Sequence, residues 1–138
     1  MGEILASHYA AELRSDGRDL ETALMQVLPE LRGAFSFVLM DEAHLVGVRD
    51  PNGFRPLVLG RLEGGWVLAS ETAALDIVGA HFVRDVDPGE MIVIDASGIR
   101  SQRFADPTPT LCLFEFVYFA RPDTELYGQN VHQARQRM

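Results

Sequence analysis

Thiols are almost missing from this chain. A single cysteine, Cys112, excludes an intramolecular disulfide and suits a reducing compartment. Cations are scarce too, with 12 Lys+Arg against 20 Asp+Glu and a formal net charge of −8. Arg14, Arg18 and Arg32, and later Arg135 and Arg137, are scattered rather than striped, which argues against a nucleic-acid or anionic-membrane surface. No apolar run approaches the ~20 residues that span a bilayer, and the N-terminus lacks a signal-peptide pattern. The expected address is therefore the cytoplasm. There is also no phosphate-binding Gly-rich loop, no His-Glu-x-x-His and no Gly-x-Ser-x-Gly. His8, His44, His81 and His132 lie far apart and lack metal-ligand spacing. What remains is an ordinary globular composition, 47% apolar, in a length that fits one domain.

Residues 3–15 predict a helix, with Leu5, Tyr9 and Leu13 at i, i+4 spacing. Asp16-Gly17 is a turn signal and Asp19 an expected N-cap. Leu20, Ala23, Leu24, Val27, Leu28 and Leu31 then give a second amphipathic helix, which Pro29 should kink or end near Leu28. From Gly33 the period becomes strand-like. Residues 34–40 are apolar on both faces apart from Ser36, as expected of a strand covered on both sides. A returning strand follows at 45–48. Asp50-Pro51-Asn52-Gly53 is a strong turn signal, and residues 57–62 and 66–69 read as a hairpin around Gly64-Gly65. Ser70 is the expected N-cap of a short helix through Ile77, with Gly79 just past its end. Residues 82–83, 91–94 and 99–104 are further strands, and 131–138 a last helix. Residues 106–110 have linker composition. The expected class is α+β, helices against antiparallel hairpins.

Two stretches carry more than secondary structure. Arg49-Asp-Pro-Asn-Gly-Phe-Arg-Pro-Leu57 reads first as a tight turn whose flanking arginines pair with Asp50 or cap it. Cys112-Leu-Phe-Glu-Phe-Val-Tyr-Phe-Ala-Arg-Pro-Asp123 reads first as a buried strand or short helix, yet Glu115, Arg121 and Asp123 are set into it. The first stretch, followed by Ala69-Ser70-Glu71, resembles class II glutamine amidotransferase domains. The strand opening Gly33-Ala-Phe-Ser-Phe-Val and the run Val83-Arg84-Asp85-Val86-Asp87-Pro88-Gly89-Glu90 agree, in the right order. Glu3-Ile4-Leu5 resembles the end of that family's Thr-Ser-Asp-Ser-Glu-Ile-Leu segment. The second stretch resembles the junction of glutamine phosphoribosylpyrophosphate amidotransferases, where a glutaminase domain meets a phosphoribosyltransferase domain.

That resemblance implies a partial αββα sandwich of the N-terminal-nucleophile hydrolase type. Residues 1–110 would be the C-terminal part of a glutaminase domain. Residues 111–138 would be the interdomain junction and the start of a truncated phosphoribosyltransferase domain. In the family an N-terminal cysteine thiolate attacks the amide of glutamine. The ammonia crosses a closed tunnel to phosphoribosylpyrophosphate, giving phosphoribosylamine for purine synthesis.

The departures are equally informative. Position 2 is Gly2, and the oxyanion Asn-Gly, the glutamine-binding Arg and the acidic phosphoribosylpyrophosphate loop have no counterparts. No residue is therefore assigned a catalytic role, and the chain alone is expected to be inactive. Tyr118 matches the family's ammonia-path tyrosine, with an aromatic packed at a domain junction as the open alternative, and Arg121 belongs to the same channel and junction. Cys112 matches the first ligand of the iron–sulfur subgroup, or is inert packing, since a cluster needs four thiolates. For the full-length protein the resemblance implies glutamine, phosphoribosylpyrophosphate, magnesium and a homo-oligomer, with no nucleic acid and no membrane. The rival readings are another class II amidotransferase and a non-catalytic, partner-binding remnant. Finally, residues 3–15, 19–31 and the helix after Ser70 are expected to form a single helical layer, leaving one face of strand 34–40 poorly covered.

Overall fold

The structure, a computed structural model, describes Ala11, Ser15, Gly17 and residues 19–138. Of the helix expected over residues 3–15, only Ala11 and Ser15 are described, both helical. Asp19 caps helix α1 (Leu20–Val27) by accepting from Thr22 N at 2.7 Å. The helix buries Leu20, Ala23, Leu24 and Val27. It then tightens into a 3₁₀ turn, Leu28–Glu30, at the residue whose missing N–H forbids continuation, Pro29.

In chain order there follow β1 (Ser36–Met40), β2 (Leu45–Arg49), β3 (Val58–Leu62), β4 (Gly65–Ala69), α2 (Thr72–Val78), β5 (His81–Asp85), β6 (Glu90–Asp95) and β7 (Gly98–Arg103). They form two antiparallel sheets, ordered β1-β2-β6-β7 and β4-β3-β5. The N-cap of α2 is Glu71, one residue later than expected; Ser70 does not cap it.

Alternation along the strands assigns the faces. Val46, Val48, Met91 and Val93 point one way and meet Leu20, Leu24 and Leu28 beneath α1. Ile92 points the other way and meets Leu57, Leu59 and Val86 of the second sheet. The sheets approach closely: a Cβ at Gly47 would lie 2.8 Å from Leu68. On the far side of the second sheet, Val58, Leu75 and Ala80 form the core beneath α2. The order is thus helix, sheet, sheet, helix. This corrects the expectation of a single helical layer, because α1 and α2 cover opposite faces of the sandwich.

Strand β1 is an edge. Phe37 and Leu39 pack under α1, but Val38 and Met40, 52% and 79% exposed, project on the inter-sheet side with little over them. One face of the strand is poorly covered, as expected, but it is the face toward the second sheet and not one left by a missing helical layer.

The chain contains no lysine, so every described ion pair that is not histidine's uses a guanidinium. Arg100 on β7 bridges Glu21 of α1 and Asp95, fastening the helix to its sheet. Arg84 forks onto buried Glu90 at 2.7 and 2.8 Å, and Asp87 N donates to the same carboxylate at 2.6 Å. Burial alone would raise the Glu90 pKa, but these hydrogen bonds, with one from Ser101, outweigh it and hold the group below its ordinary value. A depressed folded pKa contributes stability above the unfolded value of about 4.3, which is lost as pH falls through the folded one. Between about pH 5 and pH 3, Glu90→Gln should therefore lose less melting temperature than the parent chain. An equal loss would remove Glu90 from the acid response.

Beyond β7 the chain turns back along the 50–53 turn, with Thr108 N donating to Pro51 O at 2.8 Å and Thr110 N to Asn52 O at 2.9 Å. It then forms a π-helical turn, Glu115–Phe119. A two-residue hairpin follows, β8 (Glu125–Leu126) and β9 (Gln129–Asn130), and then α3 (Val131–Arg137). Phe116, Ala120, Leu126 and Val131 close a small core of their own. None of the described helices is long and apolar enough to cross a membrane.

Candidate functional site

The 49–57 turn is built from the inside outward. Arg49 ends β2 and is buried, and its three side-chain nitrogens all donate to carbonyls: Nε to Arg55 at 3.0 Å, Nη1 to Val86 at 2.7 Å and Nη2 to Gly53 at 3.0 Å. Of the two roles expected for the flanking arginines, capping is the one Arg49 performs. Buried Asp50 closes the turn from the other side, accepting from Asn52 N at 2.9 Å and Phe35 N at 3.3 Å. The result is a rigid loop presenting Arg55 outward.

Arg55 reaches the second motif. Its Nη1 donates to Glu115 Oε1 at 2.9 Å, and its guanidinium stacks over Phe119, 5.0 Å from the ring centroid. Around this contact lies a cleft of about 460 Å³, lined by Ala34, Phe35, Ser36, Arg55, Pro56, Ser70, Glu71, Glu115 and Phe119. It continues into an adjoining, more apolar hollow against Phe54, Cys112 and Phe114. The polar lining comprises a guanidinium, two carboxylates and two hydroxyls, with no histidine. These are groups that bind and orient; they do not form a nucleophile with its base.

Further bonds tie the 112–131 region to the sandwich. Glu71 Oε2 accepts from Arg121 N at 3.0 Å and from buried Thr124 Oγ1 at 2.7 Å. Thr72 Oγ1 accepts from Glu125 N at 3.0 Å. Tyr127, in the left-handed region at φ 51°, donates from its hydroxyl to Gly53 O at 3.2 Å. Burial pushes its phenol pKa up; nearby Arg49 opposes this, while Glu115 and Asp85 add to it. From the other side, Arg135 of α3 donates to Phe116 O at 2.6 Å and Ala120 O at 2.8 Å.

The three residues singled out from sequence are spread over this region rather than gathered. Cys112 is half-buried at the rim of the apolar hollow. Tyr118 is 77% exposed, its ring meeting Phe119 edge-on at 5.5 Å. Arg121 forks onto Asp123 at 3.0 and 2.8 Å on the surface. Among the described residues no three His, Cys, Asp or Glu side chains converge as a metal site, so Cys112 alone does not fit a cluster. Of the described histidines, His44 pairs with Asp41 at 3.0 Å and His132 with Gln136 at 3.0 Å. Sequence reasoning missed Arg55 and Glu71 as anchors. The available signal was Glu115, a carboxylate inside an apolar run, which needs a cationic partner.

The "Glutamine amidotransferase domain" family matches residues 2–77. The chain is 58% identical over 135 residues to an amidophosphoribosyltransferase of Mycobacterium tuberculosis, covering 98% of this chain and 24% of the relative. It is 41% identical to the amidophosphoribosyltransferase of Bacillus subtilis, covering 91% of this chain and 26% of that one. The solved glutamine phosphoribosylpyrophosphate amidotransferase from B. subtilis, complexed with ADP and GMP, superposes with a TM-score of 0.88 at 40% identity, covering 95% of this chain and 29% of that one. The chain thus spans about a quarter of the length of the curated relatives it matches.

Proposed function

The chain belongs to the glutamine amidotransferase family, and from that premise we propose that it is the later part of the glutaminase domain, with its junction, of an amidophosphoribosyltransferase. Its helix, sheet, sheet, helix order is that of an N-terminal-nucleophile hydrolase sandwich. The observation that carries the reading is the docking of the Cys112–Asp123 stretch onto the glutaminase sandwich through Arg55–Glu115 and Glu71–Arg121. Another class II amidotransferase would share the sandwich; the junction motif speaks for this one.

In the whole protein, glutamine loses its amide nitrogen as ammonia, with water adding to leave glutamate. The ammonia then forms a C–N bond at C1 of the sugar of phosphoribosylpyrophosphate as the C1–O bond breaks and pyrophosphate leaves, giving 5-phosphoribosylamine for purine synthesis in the cytoplasm. Tyr118 and Arg121 face the ammonia path at the domain boundary. Magnesium belongs with the phosphoribosylpyrophosphate pocket. Cys112 becomes a cluster ligand where three further thiolates are supplied, and the whole protein is a homo-oligomer. In the 138 residues by themselves the one cysteine, Cys112, lies in the junction stretch beside aromatic rings and is assigned no nucleophilic role.

Two measurements test this. Glutamate release from glutamine by the chain alone should stay at background; release abolished by Cys112→Ser would identify a nucleophile where none is proposed. A chimera of the M. tuberculosis relative carrying this chain in place of its matching segment should make phosphoribosylamine from glutamine. A folded chimera unable to do so would sink the reading.

A further inference from the structure

The π turn at Glu115–Phe119 is an unusual geometry. Its closing bond runs from Ala120 N to Glu115 O at 2.9 Å, one residue longer than an α-helical turn, and such turns are rare overall and frequent at functional sites. What supports it is visible. Arg55 grips both ends of the turn, ion-pairing with the nearly buried carboxylate of Glu115 and stacking on Phe119. Arg135 holds the carbonyls of Phe116 and Ala120 from α3. Arg55 is itself fixed, since its own carbonyl is held by buried Arg49. Tyr118, one residue before Phe119, projects outward from the turn.

We propose that Arg55 and Glu115 are positioning residues that lock the π turn, and through it Tyr118, to the glutaminase sandwich, so that ammonia release and ammonia use stay coupled. This rests on the amidophosphoribosyltransferase reading above. Glu115 unpaired would be a carboxylate left in an apolar site. The turn would relax toward the commoner α-helical spacing, and that change of register swings Tyr118 away from its present direction.

The test uses the M. tuberculosis chimera with Arg55→Met, Glu115→Gln, the charge swap Arg55→Glu/Glu115→Arg, and Tyr118→Ala. Glutamate and phosphoribosylamine are measured together with glutamine as nitrogen source, and phosphoribosylamine again with ammonium salt. The parent should give the two products in equal amounts. Arg55→Met and Glu115→Gln should release roughly threefold or more glutamate per phosphoribosylamine, while ammonium-driven synthesis stays within about twofold. Combining Arg55→Met with Tyr118→Ala should add nothing further, and the charge swap should restore much of the coupling. A purely structural role would lower both syntheses in parallel and leave the product ratio at one, which would overturn the proposal. In the 138-residue chain, Arg55→Met should speed exchange of the Ala120 amide by about tenfold or more; unchanged exchange would show that Arg55 does not hold the turn. A parent chimera unable to use either nitrogen source defeats the functional reading itself, whereas a coupled parent with coupled variants defeats only the lock.

Discussion

Arg49→Met should destabilise the chain by roughly 3–5 kcal/mol, a large share of the 5–15 kcal/mol that holds a typical domain together. The side chain is almost fully buried, and its removal leaves the carbonyls of Arg55 and Val86 without their donor and that of Gly53 with the Tyr127 hydroxyl alone. Each orphaned buried acceptor costs on the order of 1–3 kcal/mol, and local collapse recovers part of the sum. Arg49→Lys separates charge from geometry, because an ammonium keeps the cation but cannot reproduce the planar fork that spans three carbonyls. Lysine should therefore recover less than half of the loss. Guanidinium unfolding followed by tryptophan fluorescence reads both, since Trp66 packs against the inter-sheet core. A methionine variant within about 1 kcal/mol of the parent would mean that the turn holds itself.

Gly89→Ala carries the second large expectation. A Cβ there would lie 2.3 Å from the carbonyl oxygen of Ala105, a backbone atom that cannot swing aside, and φ is +75°. Gly89 also ties β2 to β7: its N–H reaches Arg49 O at 3.1 Å and Asp50 O at 3.2 Å, and its carbonyl accepts from Phe104 N at 3.0 Å. Relieving the clash would break those bonds. The expected cost is roughly 3 kcal/mol or more, combining left-handed strain with overpacking. Gly64→Ala is the matched control, with φ +78° and nothing within 4 Å of the added carbon. It should cost only about 1 kcal/mol, and the difference between the variants isolates the clash. Equal losses would show that the loop 104–106 yields freely.

The strands and turns were legible because period and turn chemistry are local. Val46 and Val48 against Gly47, or the Asp50-Pro51-Asn52-Gly53 turn, declare themselves within a few residues. The Asp19 cap was legible for the same reason. What stayed hidden is what lies far apart in sequence. Alternation says that Val58 and Leu59 face opposite ways, but not that α2 covers one and the first sheet the other. The helices were therefore put in one layer. Glu115 announced a need for a partner, while Arg55, which meets it, is separated by 60 positions. Arg49 reads in sequence as pairing with Asp50 or capping the turn, but its burial follows only from the three carbonyls that converge on it. The same distance effect leaves Cys112, Tyr118 and Arg121 close in sequence but on separate surfaces.

The interleaving of the two sheets also sets an order of events in time. Strand β2 pairs with β6 from Leu45↔Ile94 onward, and the entire β3–β4–β5 sheet lies in the intervening loop. At about 5–20 residues per second of synthesis, the β1–β2 hairpin waits several seconds for its third strand, a delay of about 50 residues. Meanwhile the edge of β2 has no partner strand, and Val38 and Met40 stay bare even afterwards, whereas β3–β5 closes on itself through near neighbours. In refolding from denaturant β6 is present from the start and the wait becomes a unimolecular loop closure, so the recovered yield should fall as protein concentration rises, through a bimolecular side reaction that begins at β1.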